Sequence, residues 1–188
     1  LDRDAFEKEL NELGSLRAKA DAIRTRLAKS INTKYQENPA YYENFSKRIK
    51  EALELYKART ITEAEYLAKM RDILEDYRTG KSAIAYPDRI RANVHAQAFY
   101  GVLTAIFSNE KLSVEPDFAA EMALDITTII EKHSQVDWTH NLTIHDRISQ
   151  DIDDLFYRYQ KERGLVLSFD VIDMIIENVK TVALRRFA

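Results

Sequence analysis

The stretch TEAEYLAKMRDILEDYRTG, residues 62–80, decides the fold class. Thr62 followed three positions later by Glu65 reads as a capping box, in which each side chain satisfies a backbone N–H that the first helical turn leaves unpaired. Tyr66, Leu67, Met70, Ile73, Leu74 and Tyr77 then recur at spacings of three and four. That period lays apolar side chains along one face of an α-helix. Gly80 stops the run, because glycine takes the left-handed conformation that closes a helix without a Cβ penalty. One amphipathic helix is specified from start to stop, and its apolar face needs partners.

The same grammar repeats outward. On the N-terminal side, Asn38 caps and Pro39 opens a helix that carries Tyr42, Phe45, Ile49, Ala52, Leu53 and Tyr56. Before it, Phe6, Leu10, Leu13, Leu16, Ala20, Ile23, Leu27 and Ile31 keep one stripe, which predicts a single long helix from about Asp2 to about Ile31. On the C-terminal side, a helix follows Pro87 and runs through Phe99 to Phe107, and another starts at Pro116 and runs to Ile130. Residues 135–141 read as a loop around Trp138, the only tryptophan. A helix from Ile144 to Tyr159 ends at Gly164, Leu165-Val166-Leu167 reads as a short extended bridge, and Ser168 caps a last helix through Leu184.

Composition agrees. Four glycines and three prolines in 188 residues are too few for a sandwich or barrel, which needs turn residues about every ten positions. The expected architecture is therefore all-α: an irregular, orthogonal helical bundle of six to seven helices with a long N-terminal helix. No low-complexity linker interrupts residues 38–188, which read as one unit, with 1–37 set apart as the long helix. The absence of cysteine excludes disulfides, thiolate metal sites and cysteine nucleophiles. There is no apolar run of the ~20 residues that span a bilayer and no signal peptide, so a cytoplasmic protein without membrane contact is expected. The start at Leu1, without methionine, suggests a piece of something longer.

Few residues promise chemistry. Thr79-Gly80-Lys81-Ser82 has the ending of a phosphate-binding loop, but the earlier glycine that the pattern requires is Glu75 here, and a helix rather than a strand precedes it. Gly80 is better read as a helix cap with Lys81 near the negative end of the dipole. His133, His140 and His145, with Asp137 nearby, lack the i, i+4 spacing of helical metal ligands, and His95 stands apart. Asp151, Asp153 and Asp154 flank a buried stripe, and salt bridges to Arg147, Arg158 or neighbouring helices explain them better than acid–base work. No catalytic residue and no metal site is assigned.

Charge is the stronger signal. Residues 17–59 carry eleven basic and five acidic side chains, a net of +6, whereas residues 60–188 carry fifteen and twenty-one, a net of −6. Arg17, Lys19, Arg24, Arg26, Lys29 and Lys34 face one acid, Asp21, and Lys47 and Arg48 follow. A dense positive field of this kind suits phosphates. These eight residues are the candidate DNA contacts.

Several stretches taken in order resemble a known family. They are Asn38-Pro39 with Tyr42 and Phe45, Ile61 to Leu67, Asn93 followed by Ala98-Phe99-Tyr100-Gly101-Val102-Leu103, and Val136-Asp137-Trp138. Asp151 to Phe156, Leu167-Ser168-Phe169-Asp170 with Ile172-Asp173, and Arg185-Arg186-Phe187 complete the series. Together they look like the C-terminal region of the motor and restriction (R) subunit of type I restriction–modification enzymes, over about residues 38–188. Residues 1–37 look like the end of the helical domain before it. The resemblance implies a non-catalytic region of a complex that translocates DNA with ATP and then cleaves it. ATP and Mg2+ would act in the full-length parent, with no cofactor in this piece. The implied partners are the methyltransferase core of modification and specificity subunits, double-stranded DNA and the remaining domains of the R subunit. Phe99, Tyr100, Trp138, Asp153, Phe156 and Phe169 are expected to be structural anchors or partner contacts. Two other readings stay open: a stand-alone helical nucleic-acid-binding protein, and a metal-dependent hydrolase using the carboxylates and histidines of 133–154.

Overall fold

The structure, a computed structural model, describes residues 3–81, 84–135 and 137–188. It is all-α, with eight α-helices and no strand among the described residues. They are α1 (Arg3–Glu12), α2 (Leu16–Lys34), α3 (Pro39–Lys57), α4 (Glu63–Thr79), α5 (Val94–Asn109), α6 (Pro116–His133), α7 (Leu142–Arg163) and α8 (Phe169–Arg186). The chain forms two compact units, one of residues 1–35 and 41–84, the other of 36–40 and 85–188.

In the first unit the expected long N-terminal helix is two helices. Gly14 weakens the helix locally and Ser15 caps a new one, its Oγ accepting from the Ala18 N–H at 3.0 Å. In one unbroken helix Glu9 and Arg26 would stand about 25 Å apart. Here their charged groups are 4.0 Å apart, and the Arg26 guanidinium lies 5.0 Å from the Phe6 ring centroid. The chain has folded back on itself. Leu16, expected on the apolar stripe, lies at the first position of α2 and is 44% exposed. Nor do residues 1–37 stand apart. Phe6 and Leu10 of α1 and Ile23, Leu27 and Ile31 of α2 share one core with Phe45 of α3 and Tyr66, Met70 and Leu74 of α4. The expected division at residue 38 does not follow this packing. The α4 signals act as read: Thr62 and Glu65 form the capping box, and Gly80 closes the helix at φ +73°.

The second unit is built around α5, where every residue from Ala98 to Leu103 is buried. A helix apolar on all sides belongs inside, and α5 packs against both α6 and α8. It starts later than Pro87 suggests. A short 3-10 turn over Asp88–Ile90 comes first, and Asn93 then caps α5 through bonds from the N–H groups of His95 and Ala96. Gly101 is where segment 36–40 comes close: a Cβ on it would lie 2.6 Å from the Ala40 Cβ. The same segment is held by the end of the chain. Arg185 Nε donates to Gln36 Oε1 at 2.8 Å, and Arg186 Nη1 to the Glu37 carbonyl at 3.0 Å. Pro116 opens α6, Gly164 closes α7 at φ +67°, and Ser168 caps α8, as the sequence indicates. The 165–167 segment pairs with no strand among the described residues: Leu167 is buried while Val166 is 83% exposed.

Candidate functional site

The basic run lies on the first unit, and α2 distributes it. With Ile23, Leu27 and Ile31 facing the core, 100° per residue places Arg17 and Arg24 on one flank, Lys19 and Arg26 on the other, and Lys29 facing away. Folding gives half of the candidates acidic partners. Arg17 and Arg24 share Asp21, at 3.7 and 3.3 Å. Arg26 meets Glu9, and Arg48 Nη2 lies 2.6 Å from Asp76 Oδ2 across α3 and α4. Glu9 and Asp76 are far from these arginines in sequence, so charge counting along the chain missed them. Lys29, Lys34 and Lys47 are exposed and Lys19 is half-buried, and none has an acidic partner among the described residues. These four lysines are what remains of the candidate phosphate-binding set.

The residues that resemble a phosphate loop are occupied. The N–H groups of Gly80 and Lys81 both donate to the Asp76 carbonyl, closing α4. Ser82 lies outside the described residues. A nucleotide phosphate needs such N–H groups free, and these do not fit one.

The carboxylate and histidine region of 133–154 is tied into the packing of the second unit. His133 Nε2 donates to Asp151 Oδ2 at 2.8 Å and Lys132 Nζ to the same oxygen at 2.9 Å, linking α6 to α7. The bond from His133, then that from Lys132, hold the Asp151 carboxyl below the usual aspartate range. Tyr159 donates to Asp125 Oδ2 at 2.6 Å, and burial followed by that bond raises the phenol far above its ordinary value. His145 Nε2 donates to the Trp138 carbonyl at 3.1 Å. His95 Nδ1 accepts from Arg186 Nε at 3.3 Å, and burial, reinforced by that arginine, lowers its pKa. Among the described residues no three histidines or carboxylates converge as metal ligands would.

The expected anchors divide. Phe99, Tyr100, Trp138 and Phe156 are buried. Trp138 also donates from Nε1 to the Phe187 carbonyl at 3.0 Å. Val136, quoted with it, lies outside the described residues. Asp153 is exposed, and Phe169, at the first position of α8, is 82% exposed. Neither is a core residue.

An all-helical module, with His95, His133, His145 and Gly80 engaged in its own hydrogen bonds and His140 exposed, is the class of protein defined by this geometry. The family model described as "Type I restriction enzyme HindI endonuclease subunit-like, C-terminal" matches residues 2–183, and the chain belongs to this family. The match takes in α1 and α2, so the likeness read over 38–188 extends over nearly the whole chain. A curated relative, the type I restriction enzyme HindI endonuclease subunit of Haemophilus influenzae, is 25% identical over 127 residues. The aligned part is 68% of this chain and 12% of that protein, so the chain spans a small fraction of its relative. No solved structure matches. No helix among the described residues is long and apolar enough to cross a membrane.

Proposed function

We propose that this chain is a non-catalytic C-terminal helical region of a type I restriction endonuclease subunit, and that it supports assembly with the methyltransferase core and contacts DNA during translocation. ATP and Mg2+ act in other parts of the parent. The carrying observation is the contrast on the first unit. Arg17, Arg24, Arg26 and Arg48 are paired with three acids of the chain, whereas Lys29, Lys34 and Lys47 are exposed with no acidic partner among the described residues. Ammonium groups on flexible stems suit sequence-independent phosphate contact, which a motor moving over any sequence requires.

The test replaces Lys29, Lys34 and Lys47 by glutamine in the full-length subunit and measures DNA affinity against salt. Each lost phosphate contact reduces the slope of log affinity on log salt by about 0.9, so the triple variant should bind more weakly and flatten by up to about 3. An unchanged affinity and slope, in a variant still captured by its methyltransferase, would leave the region with assembly alone. Deletion of residues 1–188 from the full-length subunit should abolish that capture. Capture at the wild-type level would remove the assembly role.

A further inference from the structure

On the second unit, α7 and α8 run antiparallel, fixed by two bonds across their seam. Lys180 Nζ donates to Ser149 Oγ at 3.3 Å, and Gln160 Nε2 donates to the Leu167 carbonyl at 3.1 Å. With 149 level with 180, a rise of 1.5 Å per residue brings Asp153 and Asp173 level to within about 5 Å. One turn further on, about 6 Å along the seam, Tyr157 and Phe169 come level in the same way. Both helices thus offer an acid and then an aromatic on the same outward edge. Asp153 and Asp173 have no hydrogen-bond or ion-pair partner among the described residues, and Tyr157 and Phe169 are 54% and 82% exposed.

The seam already takes one cation. Lys180 closes its far end, bonded to Glu177 Oε1 at 2.7 Å as well as to Ser149, with its side chain only 22% exposed. Tyr157 takes another, since Lys161 Nζ lies 4.5 Å from its ring centroid. Between them along the seam stand Asp153 and Asp173, which pair with no cation among the described residues. Two carboxylates at about the same level on neighbouring helices repel DNA and attract a basic protein segment. The aromatic pair beside them gives such a segment an apolar anchor of the kind that dominates interface energetics.

We infer that the α7–α8 seam is a docking strip for a basic segment of another subunit of the complex. An arginine or lysine of that segment sits between Asp153 and Asp173, and an apolar or aromatic side chain one helical turn away lies on Tyr157 and Phe169. The inference rests on the assembly role proposed above and assigns it a surface and a partner chemistry. It also places Phe169, which the core does not use.

The experiment compares capture of the methyltransferase core by the full-length subunit in four forms: wild type, the double variant Asp153→Asn with Asp173→Asn, the single variant Phe169→Ala, and the deletion of residues 1–188. The double and single variants are each expected to weaken capture by about tenfold. The double variant should also lose most of the salt dependence of capture. All three residues are exposed, so melting temperatures should match the wild type. Wild-type capture by both point variants, with capture lost on deletion, would overturn the strip and leave the assembly role standing. Wild-type capture by the deletion would remove both. A changed DNA affinity in the double variant would mean that the strip faces nucleic acid, and would overturn the inference too.

Discussion

Truncating Trp138 tests how the second unit is closed. The indole is 3% exposed, its Nε1 donates to the Phe187 carbonyl at 3.0 Å, and its ring meets His145 edge-on at 5.7 Å between centroids. A tryptophan buried to this degree removes about 200 Å2 from water, worth about 5 kcal/mol at 25 cal/mol per Å2 and an upper figure, because the unfolded chain is itself partly compact. Trp138→Ala leaves a cavity and an unpaired Phe187 carbonyl, and should cost about 3–5 kcal/mol. For a chain of this size the melting temperature should fall by roughly 10 °C. Trp138→Phe fills much of the space but loses the N–H donor, and should cost about 1–2 kcal/mol. Thermal unfolding followed by circular dichroism reads both, since neither variant keeps a tryptophan to report by fluorescence. A wild-type melt for the alanine variant would mean that the indole does not close the second unit. Equal losses in the two variants would assign the effect to the hydrogen bond rather than to packing.

Two further outcomes follow from the same unit. Gly101→Ala should destabilise by about 1–3 kcal/mol, because the new methyl meets the Ala40 Cβ and must displace segment 36–40; a wild-type melting temperature would show that this approach is not close-packed. Asp151, held below its ordinary pKa by His133 and Lys132, contributes stability that is full above about pH 4, the unfolded value, and is lost as pH falls through the lower folded value. Denaturation midpoints recorded down this range should therefore fall more steeply for the wild type than for Asp151→Asn, and parallel curves would sink the assignment.

Most helices were legible because their ends carry local chemistry. Thr62 with Glu65, Pro116, Ser168, Gly80 and Gly164 act through bonds or backbone angles that span only a few residues, and each acts as read. What escaped was long-range. The apolar period of the first 31 residues continues through Gly14 and Ser15 without a slip, so periodicity could not separate a hairpin from one helix. The ion pairs of Arg26 with Glu9 and Arg48 with Asp76 exist only after helices meet, and they take two of the eight residues from the basic face that counting suggested. Gly101 sits in the middle of α5, where a local reading sees only a weak helix former. Its reason is Ala40, sixty-one positions earlier. Phe169, expected from the resemblance as an anchor or a partner contact, is left by the cap at Ser168 on the outside of the first turn.

Segment 36–40 also sets an order of events at the ribosome. All four helices of the first unit have been made once residue 79 is synthesised. Gln36 and Glu37 must wait for Arg185 and Arg186, 149 positions later in the chain. At 5–20 residues per second that is a delay of roughly 7–30 s, during which the first unit can fold while the link between α2 and α3 stays unclaimed. The second unit is the last to close, and it closes around a piece of chain made long before the rest of it.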